Sequence, residues 1–221
     1  MQIAIPLFDR FTALDAIGPY QVLSGVPGAQ VRFLGPEVGP VRADNRMLTL
    51  LAGERWEDLP EPDVLVVPGG VGTRMLLRDE RLLDWVRGAH ESSRYTTSVC
   101  TGALVLAAAG VLDDLEATTH WMERELLGEL GARPTPRRVV EQGKVITAAG
   151  VSAGIDMALR LVELLTGPEV AQAIQLGIEY DPQPPFDSGS PEKASAETVE
   201  LVRAVMGQLE VEAETDAATA G

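Results

Sequence analysis

Short apolar runs alternate with amphipathic segments along this chain, and this alternation limits the folds that it can adopt. The clearest apolar run, Val64-Leu65-Val66-Val67, ends in Pro68-Gly69-Gly70 and is typical of a strand that is buried on both faces. Similar runs occupy residues 2–6, 30–34 and 96–99, with helical patterns between them. The pattern predicts an α/β fold, in which a mostly parallel central sheet is covered by helices on both faces.

Turn and cap signals place the remaining elements. Gly18-Pro19 predicts the start of the first helix, because proline is favoured at the first helical position. Further predicted elements are a small β excursion within 37–53, helices after Asp79 and at 102–109, 120–130, 152–165, 168–178 and 196–209, a short strand at 117–119 and a hairpin within 137–148. No repeat or linker divides the chain, so residues 1–209 are predicted to form one domain. Residues 210–221 are acidic and rich in small residues, and we expect a disordered tail there.

The net charge of −15, from 33 acidic against 18 basic residues, argues against nucleic acids and anionic membranes as partners. No apolar run is long enough to span a bilayer, and the N-terminus lacks the pattern of a signal peptide. A single cysteine excludes an internal disulfide and fits a cytoplasmic location. One cysteine and two histidines cannot form a closed structural zinc site, so we expect no metal.

Cys100, the only cysteine, lies between a β-branched stretch and a run of helix formers. Propensity therefore predicts a sharp strand-to-helix turn with the thiol at its corner. A helix N-terminus at that corner lowers the pKa of the thiol, and the thiolate is the nucleophile. The alternative is a small, inert core residue. The corner position and the Thr101-Gly102 that follows favour a nucleophile.

Two loops are expected at the same edge of the sheet as Cys100. Gly69-Gly70 end a predicted strand, and their backbone N–H groups would serve as an oxyanion hole or simply form a turn. Asp15 lies between the first strand and its helix. Its carboxylate would accept a proton or orient a water near the thiol, or it would cap the helix.

His120 directly follows Thr118-Thr119 at the start of a predicted helix. This histidine would tune Cys100 or bind substrate, or it would be a hydrogen-bonded histidine without a catalytic role. No histidine follows it in the chain.

Five motifs, in this order, resemble the ThiJ/PfpI group of the class I glutamine amidotransferase-like superfamily, over nearly the whole chain to about residue 209. They are Leu14-Asp15-Ala16-Ile17-Gly18-Pro19, Val67-Pro68-Gly69-Gly70, Ser98-Val99-Cys100-Thr101-Gly102-Ala103, Thr118-Thr119-His120-Trp121 and Gly150-Val151-Ser152-Ala153-Gly154-Ile155-Asp156. Within the group, the segment Gln175-Leu176-Gly177-Ile178-Glu179-Tyr180-Asp181-Pro182 is most similar to the isonitrile hydratases.

The resemblance implies a flavodoxin-like three-layer sandwich, usually a homodimer, with Cys100 as the nucleophile. By position, Asp15, Cys100 and Thr101 match the residues that isonitrile hydratases need. The implied reaction adds water to an isonitrile, a small neutral substrate, and gives an N-substituted formamide through a thioimidate on Cys100. It needs no cofactor, and the N–H groups of Gly70 and Thr101 would stabilise negative charge.

The same residues bear on other activities of related proteins. Glutamine amidotransferases use a cysteine with a later histidine, which this chain lacks, and protease-like members have histidine where Thr101 stands. Two alternatives stay open: a glyoxalase or deglycase that acts on 2-oxoaldehydes through Cys100, and a ligand-binding domain without catalysis, as in AraC-type regulators.

Overall fold

The structure is a computed structural model that describes residues 1–220. Its contacts form two compact units, Met1–Ile178 and a second unit that begins at Glu179. This boundary falls inside the span 1–209, for which a single domain stays a prediction. Within the described residues, no helix is both long enough and apolar enough to cross a membrane.

A seven-stranded sheet forms the centre of the first unit. The strands of the chain are β1 (Gln2–Pro6), β2 (Gln30–Gly35), β3 (Gly39–Arg42), β4 (Thr49–Ala52), β5 (Glu54–Arg55), β6 (Val64–Val67), β7 (Tyr95–Val99), β8 (Glu116–Ala117), β9 (Arg133–Pro134), β10 (Val139–Gln142) and β11 (Val145–Ala148). The central sheet has the order β10-β11-β7-β6-β1-β2-β5. Only the β10–β11 pair at its edge is antiparallel, whereas β3–β4 and β8–β9 form separate two-stranded pairs.

Eight α-helices accompany the strands in the described chain. They are α1 (Ala13–Leu23), α2 (Thr73–Leu76), α3 (Glu80–Ser92), α4 (Gly102–Ala108), α5 (Arg124–Glu129), α6 (Ala153–Thr166), α7 (Pro168–Gly177) and α8 (Ala196–Ala220). The predicted α/β fold with a mostly parallel sheet is confirmed. All four residues of β6, the strand with the clearest apolar run, are buried.

Helix α1 starts earlier than the sequence predicts. It begins at Ala13 after Thr12, and Pro19 lies inside it. The missing N–H of Pro19 removes one helical hydrogen bond, but the helix packs closely on α6, where a Cβ at Gly18 would lie 3.2 Å from Ile155. Packing therefore outweighs the local proline signal, and Asp15 is part of the first helical turn instead of the loop before it.

Two other predicted segments also differ from the structure. Residues 120–130 are not one helix, because a 3₁₀ turn at Trp121–Glu123 precedes α5. Helix α8 is continuous to Ala220, so helix replaces the disorder that was expected from residue 210. Gly221, the last residue of that expected tail, lies outside the described residues.

Candidate active site

Four neighbouring strands, β11, β7, β6 and β1, run parallel and therefore end at one edge of the sheet. The segments that follow them carry residues 149–152, Cys100, Gly69-Gly70 and Asp15, respectively. In open parallel sheets, ligands bind outside this carboxyl edge. Topology thus brings together the loops that the sequence singled out.

Cys100 occupies the predicted strand-to-helix turn between β7 and α4. Its φ of +57° lies in the left-handed region, which is uncommon for residues other than glycine. Its N–H donates to Ala148 O at 3.1 Å and to Ala149 O at 2.9 Å, and its carbonyl accepts from Thr119 Oγ1 at 2.9 Å. These bonds hold the strained backbone in place, as a fixed nucleophile requires.

The sulfur of Cys100 is almost fully buried, with 5% of the residue exposed. The prediction of a lowered thiol pKa is wrong for the resting site, because burial, followed by the charge of Asp15, raises the pKa of Cys100 well above its ordinary value. The backbone N–H groups of Val151 and Thr101 hydrogen-bond to the sulfur and lower the pKa in part. The resting form is therefore a thiol in a site that is already built to receive a thiolate.

Asp15 is the titratable partner of this thiol. Its carboxyl is fully buried, its Oδ2 accepts the N–H of Gly69 at 3.0 Å, and it hydrogen-bonds with the side chain of Cys100. Burial raises the pKa of Asp15 to about 7, against the lowering effects of the Gly69 N–H and Cys100, while the charge of Asp44 raises it further. Because Oδ2 bonds to Gly69 in another loop, the carboxyl does not cap α1.

The second oxygen of this carboxyl, Oδ1, is buried and has no hydrogen-bond partner among the described residues. Above about pH 7, and below the raised pKa of Cys100, the two side chains hold a single proton between them. A buried acid of this kind can pass its proton to a substrate and then act as a base.

Thr101 uses its hydroxyl to hold the glycine loop. Oγ1 accepts the N–H of Gly70 at 2.8 Å, donates to Gly70 O at 3.2 Å, and lies 2.9 Å from Thr73 Oγ1. These bonds tie the hydroxyl to the glycine loop and to Thr73. The contribution of Thr101 to the reacting atoms is the backbone N–H that bonds to the sulfur of Cys100.

The glycine loop approaches α4 too closely for any side chain at Gly69. A Cβ there would lie 2.5 Å from both the N and the Oγ1 of Thr101, and 3.0 Å from Asp15 Oδ2. Both glycine N–H groups are already used, since Gly69 donates to Asp15 and Gly70 donates to Thr101. The oxyanion role of Gly70 stays a prediction, and it would require its N–H to leave the threonine hydroxyl.

His120 lies beside the loop that follows β11. A Cβ on Gly150 would be 2.9 Å from its Cδ2, and its ring contacts Trp121. Burial, with a smaller effect of Arg124, lowers the pKa of His120, so the ring is neutral at pH 7. The neighbouring Thr119, not His120, makes the hydrogen bond to Cys100.

Three contributors to the site were not predicted from sequence: Val151, Thr119 and Thr73. Val151 and Thr119 lie in motifs of the family resemblance, which was the available signal. Among the side chains that the structure describes, no three His, Cys, Asp or Glu residues group as metal ligands would.

Comparison with known proteins identifies the class to which this fold and site belong. Residues 1–164 match the model of the DJ-1/PfpI family. The chain therefore belongs to the DJ-1/PfpI family, in agreement with the resemblance that its motifs indicate.

The chain is also similar to several individual proteins of known name or structure. The chain is 46% identical over 203 residues to an isonitrile hydratase of Pseudomonas putida, which covers 92% of this chain and 89% of the relative. It is 30% identical to the HTH-type transcriptional regulator CdhR of Pseudomonas aeruginosa, over 76% of this chain and 51% of the regulator. A crystal structure of a ThiJ/PfpI family protein from Pseudomonas syringae has a TM-score of 0.90 and 34% identity, and covers 97% of this chain and 89% of that one.

Proposed function

We propose that this chain is a cysteine-dependent isonitrile hydratase, which adds water to R–N≡C and releases R–NH–CHO. The observation that carries the proposal is the buried Asp15–Cys100 pair, which holds one proton beside two N–H donors aimed at the sulfur. The similarity to the Pseudomonas putida isonitrile hydratase supports the choice of substrate. The site suits a small neutral substrate, because it offers a nucleophile and a proton and is buried.

The first step forms a carbon–sulfur bond. As the thiolate of Cys100 attacks the terminal isonitrile carbon, the proton held by Asp15 moves to that carbon, which gives the thioimidate Cys–S–CH=N–R and an Asp15 carboxylate. The N–H groups of Val151 and Thr101 keep the sulfur in place during this attack. The net charge of the site does not change, which suits a buried environment.

Water completes the reaction. The Asp15 carboxylate removes a proton from water as its oxygen adds to the thioimidate carbon, and the same proton then passes to the nitrogen. Asp15 next removes the hydroxyl proton while the C=O bond forms and the C–S bond breaks. The products are the formamide, a thiolate and a protonated Asp15, so the starting pair is restored. Asp15 carries each proton. Its Oδ1 has no hydrogen-bond partner among the described residues, so no protein group competes with the substrate for that oxygen.

The other predicted site residues act through position in this scheme. Thr101 ties the Gly69-Gly70 loop to α4, and Gly69 in turn orients the carboxyl of Asp15. We propose that His120, neutral and packed against Gly150, shapes the site and takes no part in proton transfer.

A glyoxalase or deglycase activity is the competing proposal, since it would use the same thiol. Its usual carboxylate partner is glutamate, whereas Asp15 is shorter by one methylene group. Turnover of an aliphatic isonitrile and of methylglyoxal by the wild type and by Cys100→Ser separates the two. We expect wild-type turnover of the isonitrile alone and loss of that turnover in the variant. Efficient turnover of methylglyoxal alone would favour the glyoxalase, and turnover of neither would favour a binding domain.

We also propose that the protein is a cytoplasmic homodimer that needs no metal or cofactor. The single cysteine and the family resemblance support these assignments. Sedimentation equilibrium measures the assembly directly, and a mass near one chain at micromolar concentration would contradict the dimer.

A further inference from the structure

The loop at residues 149–152 joins β11 to α6 and brings the N–H of Val151 to the sulfur of Cys100. Val151 has a φ of +21°, which is an outlier for a β-branched residue. Such a backbone persists only when its surroundings hold it. Contacts on both sides of the loop must therefore hold the backbone of Val151 in this conformation.

Arg138, just before β10, supplies that support from two directions. Its carbonyl accepts the N–H of Ala149 at 2.8 Å, and the carbonyl of Ala149 in turn accepts the N–H of Cys100 at 2.9 Å. Its guanidinium bonds to the carboxylate of Asp156 and, through Nη2, to Ser152 Oγ at 3.3 Å. One arginine thus bonds to the loop at its start and to the first turn of α6 at its end.

We propose that the Arg138–Asp156 ion pair is a positioning device for the reaction, which fixes the 149–152 loop so that the N–H of Val151 stays on the sulfur of Cys100. Asp156 ends the motif 150–156, and the proposed chemistry gives that residue no other role. The pair is half-exposed, with side chains 49% and 32% exposed. Ion pairs at that exposure add little to stability, so its effect is on geometry.

The consequence concerns the ionisation of the thiol. The Val151 N–H lowers the pKa of Cys100 by stabilising the thiolate. A loop that is no longer held loses part of this hydrogen bond, so the pKa rises further and less thiolate forms at a given pH. A residue with a merely structural role would lower stability without moving this ionisation.

The chain offers a matched control in the ion pair between Arg160 and Glu141. It joins α6 to β10, the strand that follows Arg138, at 2.7 Å, and its side chains are 40% and 37% exposed. The hydrogen bonds of Arg160 go to Glu141 and Glu163 and not to the 149–152 loop, so removal of the pair should lower stability about as much without affecting the sulfur.

The test measures alkylation of Cys100 by iodoacetamide across a range of pH, in the folded full-length protein. Cys100 is the only cysteine, so the rate reports on that thiol alone. Arg138→Met and Asp156→Asn should move the pH profile upward by roughly half a pH unit, about threefold in rate at fixed pH. Arg138→Lys, which keeps the cation, should move it less, and Glu141→Gln should match the wild type.

Unchanged profiles in Arg138→Met and Asp156→Asn, or an equal shift in Glu141→Gln, would overturn the proposal. If Arg138→Met does not fold, Asp156→Asn and Arg138→Lys decide the question by the same criterion. The inference rests on the proposed nucleophilic role of Cys100. Because alkylation needs no isonitrile, a protein that fails to hydrate isonitriles can still give the expected shifts, so the two failures are distinguishable.

Discussion

At the scale of single residues, Asp15 combines its proposed catalytic role with a cost in stability. Its pKa rises from 3.8 to about 7 because the carboxyl is buried, and this effect outweighs the lowering effects of the Gly69 N–H and Cys100. Folding therefore favours the protonated form. The stabilisation from this protonation is complete below about pH 4 and is lost as the pH rises towards 7. The residue that we propose for the proton transfers thus weakens the fold at the pH where it would act.

Asp15→Asn should reveal this cost. Asparagine keeps the shape and the acceptor for Gly69 but cannot ionise, so the free energy of unfolding at pH 8 should rise by up to about 4 kcal/mol. At pH 4 wild type and variant should differ little. Urea unfolding at the two pH values measures the difference, and the variant should have lost its hydratase activity. A stabilisation that is equal at both pH values would show that ionisation is not its cause.

The same pair sets the pH dependence of the reaction. Below about pH 7 both side chains are protonated, and the second proton blocks formation of the thiolate. We expect kcat/KM to rise as the pH passes through about 7 and then to level off until the raised pKa of Cys100 is reached. Initial rates from pH 5 to 9 measure this rise (roughly two pH units on either side of the transition). A rate that is constant across pH 7 would rule out Asp15 as the controlling group.

At the scale of elements, the site depends on close contact between the loop after β6 and the N-terminus of α4. Gly69→Ala would place a Cβ 2.5 Å from the backbone of Thr101, so the loop and helix must separate. We expect a loss of about 1–3 kcal/mol in stability and a large loss in kcat, because Asp15 loses its alignment. Gly88→Ala, in α3, is the control, since its Cβ meets no atom within 4 Å, and it should keep full activity.

The sequence predicted the positions of helices and strands better than the contacts between them. The apolar run of β6 and the propensity change at Cys100 identify a strand end and a corner, because local composition determines both. The start of α1 that Pro19 predicts is wrong, because the packing of α1 on α6 outweighs the helical hydrogen bond that the proline removes. The N–H of Val151 was not predictable, because it reaches the sulfur only after β11 pairs with β7.

At the scale of the whole molecule, the net charge of −15 argues against nucleic acid as a partner of this chain. CdhR is named as a transcriptional regulator, and this chain matches about half of that protein. With a charge of −15, the chain should not bind duplex DNA even in about 50 mM salt, where phosphate contacts are strongest. A gel-shift assay tests this, and retention of random-sequence DNA would contradict it.

Turnover by Cys100→Ala measures whether hydration proceeds through a bond to the sulfur of Cys100. Formamide production from an aliphatic isonitrile should fall by at least about a thousandfold in this variant, because no other described group in the site can form the thioimidate. Its folding is checked by its unfolding midpoint. A Cys100→Ala protein that makes formamide at the wild-type rate would contradict the account, since the hydration would then proceed without a bond to sulfur.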